Sequence, residues 1–67
     1  MAEERVYEVF ARKGPEDPLR HVGSVNAVSG ALAETYARAL YAEDASYAEM
    51  AVVPRDAMLI IEKPRPR

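Results

Sequence analysis

Apolar and polar residues alternate from Arg5 to Lys13: "RVYEVFARK" sets Tyr7, Val9 and Ala11 on one face against Val6, Glu8 and Phe10 on the other. Such alternation in a stretch rich in β-branched and aromatic residues predicts a strand. The "GPEDP" that follows predicts a turn or short loop. Residues 19–28 then read as a second strand, with Val22 and Val28 on one face and Leu19, His21, Gly23, Val25 and Ala27 on the other, and the two strands suit a hairpin. From Ser29 the period changes. Leu32, Ala33, Tyr36, Ala37 and Leu40 recur at helical spacing, which predicts an amphipathic helix of about four turns. Ser29 is its expected N-cap, and Glu34 and Arg38 are ordered for an i,i+4 ion pair. "MAVV" predicts a third strand, "PRDA" a turn and "MLIIEK" a fourth strand. The expected fold is α+β in the order β-β-α-β-β, an antiparallel four-stranded sheet with one helix packed on one face. It forms a single domain over residues 1–67, with residues 1–4 and 64–67 as frayed termini.

One helix covers one face of such a sheet, yet the last two strands are apolar at nearly every position: Met50, Ala51, Val52 and Val53, then Met58, Leu59, Ile60 and Ile61. Alternation is expected where a far face meets water. A second chain would bury that face, so a homodimer is expected, with Val52, Ile60 and Ile61 as candidate interface residues. Length points the same way. A chain of 67 residues buries only about 60% of the surface it exposes when unfolded. With no cysteine to staple the fold, oligomerisation is the common remedy left.

Hydrophobic residues at 49% and charged residues at 30% are the balance of a folded domain. A net charge of -2 argues against a nucleic-acid partner, because phosphate affinity rests on clustered Lys and Arg. The acidic start "MAEER" is unlike a signal peptide. No apolar run approaches the roughly 18 residues of a membrane span, so no membrane partner and a cytoplasmic location are expected.

Candidate chemistry gathers in "LRHVGSVNA". His21 is the sole histidine, and metal sites generally need three or four ligands. Ser24 lies three residues further on, which on a regular strand sends the two side chains to opposite faces. Gly23 has neither the second glycine of a dinucleotide-binding loop nor the GK[ST] of a P-loop. A glycine inside a strand more often marks a bulge or the close approach of a packed side chain, here one from the helix. Glu8, mid-strand between Val6 and Phe10, is expected to border an interface or to pair with an arginine such as Arg20 on the neighbouring strand. Tyr36, Tyr41 and Tyr47 read as core residues rather than the lining of an aromatic pocket. No catalytic residue, metal site or cofactor is expected from these patterns.

The strings "YEVFAR", "RHVGSV.A" and "YARALY", followed by "VV", resemble the PaaB family, the small subunit of the bacterial phenylacetyl-CoA epoxidase, a multicomponent ring 1,2-epoxidase. The matching positions are Tyr7, Glu8, Val9, Phe10, Arg12, His21, Val22, Gly23, Ser24, Ala27, Ala37, Arg38, Tyr41, Val52 and Val53. Asn26 stands where the family commonly has histidine, and Ala51 where it has tryptophan. The resemblance implies a non-catalytic bridging subunit in phenylacetate degradation. Its partners would be a di-iron catalytic subunit, whose irons sit on bundled helices, and that subunit's structural helical partner. In this setting His21, Gly23 and Ser24 are scaffold. Glu8, Phe10 and Arg12 are the candidate docking residues, because an aromatic flanked by charges of both signs supplies buried area and fixes orientation. Two other classes stay open: a small enzyme of unknown type, and a free-standing small-ligand-binding or sensing homodimer of ferredoxin-like type.

Overall fold

The computed structural model describes residues 3–42 and 46–62. It contains β1 (Arg5–Arg12), β2 (Arg20–Ala27), α1 (Gly30–Tyr41) and β3 (Glu49–Pro54), followed by a 3₁₀ turn over Arg55–Ala57. The three strands form one antiparallel sheet in the order β2-β1-β3, so the first strand lies at the centre. The alternation read along β1 is realised: Tyr7, Val9 and Ala11 are buried. Around them Val25, Ala27, Ala33 and Ala37 complete the core, with Val22, Tyr41, Met50 and Val52 packed against it.

Local chemistry sets the element ends. Between β1 and β2 the Gly14 carbonyl accepts from the Asp17 N–H at 3.1 Å, while the Asp17 carboxylate accepts from the Gly14 N–H at 2.9 Å. Pro15, at the second position of that turn, fixes the φ that the turn needs. Ser29 is extended and its hydroxyl accepts from the Leu32 N–H at 3.2 Å, as an N-cap does. Glu34 and Arg38 pair at 3.3 Å on the exposed side of α1.

Two expectations change. Residues 58–62 form no strand, so among the described residues the sheet has three strands and not the expected four. The Met58 N–H bonds the Arg55 carbonyl at 3.1 Å, closing a single 3₁₀ turn where a hairpin needs a reversal, and the chain leaves in extended conformation. Leu59, Ile60 and Ile61 are consequently 88%, 72% and 86% exposed. Second, the helix turns only part of its apolar stripe to the sheet. Ala33 and Ala37 bring the helix close and Tyr41 follows them one turn on, while Leu32, Tyr36 and Leu40 stay exposed one position round the helix. Tyr36 is therefore not a core residue. Val52, a candidate interface residue, is partly buried against this chain's own core. The expected frayed tail at 64–67 lies outside the described residues.

Candidate functional site: the open face of the sheet

Helix α1 packs on one face of the sheet. The opposite face carries Val6, Glu8, Phe10 and Arg12 from β1, with their cross-strand partners on either side. On the β3 side Val53 lies opposite Glu8, Ala51 opposite Phe10 and Glu49 opposite Arg12. On the β2 side Ser24 lies opposite Glu8 and His21 opposite Phe10. The structure therefore brings together the three residues expected to dock a partner.

The β2 register contains a shift. Val9 pairs with Gly23 but Phe10 pairs with His21, which leaves Val22 as an extra residue in the ladder. The bulge reverses the phase of the strand before it. His21 thus moves to the open face with Ser24, although plain alternation places the two on opposite faces. No hydrogen bond joins them among the described residues; His21 reaches Glu8 instead, its Nε2 lying 2.8 Å from Oε1. Its ring also tilts against Phe10, with centroids 5.3 Å apart and planes at 56°.

Glu8 is the hub of this face. Its other oxygen, Oε2, accepts from Nε of Arg55 at 2.5 Å. The partner is thus Arg55 and not the expected Arg20, which lies opposite Ala11. Only 11% of the Glu8 side chain is exposed, whereas His21 and Arg55 are 55% and 58% exposed, so a solvated imidazole and a solvated guanidinium close over one sheltered carboxylate. The Arg55 hydrogen bond, followed by the His21 bond, holds the Glu8 carboxyl below its ordinary value of 4.5 against the opposing effect of burial. A carboxyl depressed in the folded state stabilises the fold above its unfolded pKa and stops doing so as pH falls through the folded value. A Glu8→Gln variant is therefore expected to be less stable than the wild type at neutral pH, with the difference closing below about pH 4.5. Denaturant titrations across that range measure the difference; a gap that stays constant into acid would remove Glu8 from this role.

Further along the face Arg12 pairs with Glu49, its cross-strand neighbour. The Nε of Arg12 is buried without a hydrogen-bond partner among the described residues. Phe10 and Ala51 thus lie between two charged clusters, Glu8/His21/Arg55 on one side and Arg12/Glu49 on the other. Neither Arg55 nor Glu49 stood out in the sequence.

Gly23 and Ser24 serve the other layer. The Tyr41 hydroxyl donates to the Ser24 carbonyl at 3.0 Å and accepts from the Ser24 N–H at 3.2 Å. A Cβ at Gly23 would meet that hydroxyl at 2.2 Å. Glycine thus marks both features expected of it, a bulge beside it and a side chain from the helix lying against it.

Among the described residues no group of three or more His, Cys, Asp and Glu side chains gathers as a metal site would, and no helix is long and apolar enough to cross a membrane. Comparison with curated proteins gives no match. Among solved structures, the chain is similar to the crystal structure of a phenylacetate-CoA oxygenase subunit PaaB from Ralstonia eutropha JMP134. The two are 27% identical with a TM-score of 0.75, over 91% of this chain and 98% of that one. The sequence model of the family described as PaaB, phenylacetic acid degradation B, matches residues 3–65. With nearly its whole length inside that match, the chain belongs to the PaaB family.

Proposed function

We propose that this protein is a non-catalytic subunit of a phenylacetyl-CoA oxygenase in phenylacetate degradation. It acts as a cytoplasmic homodimer that bridges the di-iron catalytic subunit and its structural helical partner. The family and the similar oxygenase subunit support the pathway. The observation that supports a docking role is the open sheet face, where the half-buried Phe10 lies between two charged clusters. An apolar centre within a charged surround is the anatomy of a protein interface: the aromatic contributes affinity and the charges fix register.

Reconstitution tests this role. The catalytic and structural helical subunits, supplied with reductase, are expected to epoxidise phenylacetyl-CoA much faster when this chain is present. The chain alone should show no turnover. Full activity without it, or turnover by the chain alone, would overturn the proposal.

A further inference from the structure

The most apolar exposed segment of the molecule follows directly after β3, and the sheet has an unoccupied place for it. Resting on the homodimer reading above, we propose that residues 58–62 of each copy add as a fourth strand to the β3 edge of the other copy. The two chains thus exchange arms about a two-fold axis.

Four observations carry this. The arm makes no strand within its own chain, yet Leu59, Ile60 and Ile61 are β-forming or apolar residues exposed to more than two-thirds of their area. The sheet has two edges, β2 and β3, and they are not equivalent. At β2 the ladder is broken by the Val22 bulge, and the Tyr41 hydroxyl occupies the backbone N–H and C=O of Ser24. Both are ways in which an edge is closed to further pairing. Among the described residues the β3 edge has no such device before Pro54, which ends the strand, and its register against β1 is regular from Tyr7↔Pro54 to Arg12↔Glu49. A strand added there would continue the sheet by β-augmentation.

Both faces of the added strand would find apolar ground. On the helix side a groove beside β3 is lined by Ala37, Tyr47, Met50 and Val52, with the Glu34–Arg38 pair along it. On the open side lie Ala51 and Val53. In a strand, Leu59 and Ile61 share one face and Ile60 takes the other. The assignment that matches the larger apolar surface puts Leu59 and Ile61 into the groove and Ile60 beside Ala51. This accounts for an arm that is apolar on successive positions and does not alternate. Five residues in extended conformation span roughly 17 Å, close to the length of the six-residue β3. Exchange is reciprocal by symmetry, so each dimer buries two arms.

The test uses the full chain. Light scattering is expected to give a dimer for the wild type. A Leu59→Asp/Ile61→Asp variant should raise the dimer dissociation constant by roughly a hundredfold or more, because each dimer would then bury four unpaired carboxylates. Its helical circular dichroism signal should match the wild type, since Leu59 and Ile61 are exposed within their own chain. Because the protein has no cysteine, an Ala51→Cys/Ile60→Cys variant reports placement directly: oxidation is expected to yield a reducible covalent dimer. If the Asp variant stays dimeric, the copies associate through another surface, and arm exchange fails while the homodimer stands. An oxidised chain that runs as a compact monomer would show the arm folding back on its own β3 and overturn the exchange. A wild type that is monomeric at high micromolar concentration overturns both.

Discussion

Replacing Gly23 with alanine is expected to bring the protein to the edge of unfolding at room temperature. The new Cβ would lie 2.2, 2.4 and 2.7 Å from the hydroxyl oxygen, Cζ and Cε1 of Tyr41, so the ring itself must move and not only its tip. Overpacking of this kind costs about 1–3 kcal/mol. Displacing the ring also breaks both hydrogen bonds to the Ser24 backbone, at about 1 kcal/mol each. A loss of about 3–5 kcal/mol is as large as the roughly 3–5 kcal/mol that a core of this size supplies. Truncating the ring should remove the conflict: adding Gly23→Ala to a Tyr41→Ala background is expected to cost less than about 0.5 kcal/mol, a strongly non-additive cycle. Urea denaturation of the four proteins measures this. Additive costs would mean that something other than the ring demands glycine at this position.

Replacing Phe10 with alanine is expected to have the opposite signature, a folded protein that no longer holds its partner. Phe10 is on the uncovered face, touching the ring of His21, and contributes nothing to the core under α1. An aromatic at the centre of an interface typically costs 2 kcal/mol or more when truncated, which corresponds to roughly a thirtyfold loss of affinity. Binding to the catalytic subunit, measured by calorimetry or co-purification, should fall by about that factor with the circular dichroism spectrum unchanged. Leu40→Ala serves as the control. Leu40 is 65% exposed on α1, so its loss should leave binding intact if the sheet face docks the partner. The reverse result, with Leu40 sensitive and Phe10 silent, would transfer docking to the exposed stripe of Leu32, Tyr36 and Leu40. Dissociation of the Phe10 variant into monomers would instead place this ring between copies of the chain.

What the sequence made legible was whatever depends on near neighbours. The alternation along β1 identified its two faces because this strand is central and fully paired, so every second residue meets the helix. Ser29 was readable as a cap because a cap acts within three residues. Gly23 signalled a close approach because a missing Cβ has few other uses in a strand. Contacts that depend on sheet order were not legible. Arg55 finds Glu8 from 47 positions away, and only the placement of β3 beside β1 brings them together. The bulge had no signal, since Val22 is as good a strand residue as its neighbours. The helix stripe was overread because periodicity gives the direction of an apolar face but not the width of the sheet beneath it. "MLII" has strand propensity throughout, yet the single 3₁₀ turn before it does not reverse the chain toward the edge of its own β3.

The extra residue at Val22 makes the chemistry of the open face depend on the register of β2 as well as on residue identity. Closing the bulge with the chain unchanged, so that Val22 pairs with Phe10, would set His21 opposite Ala11 and turn it toward the helix. Glu8 would lose its histidine partner and Phe10 its ring neighbour in a single event. Substitutions on this face tune one contact at a time. A change of register in β2 acts as a switch, and a relative that pairs this strand without the bulge would present partners with a different surface from nearly identical sequence.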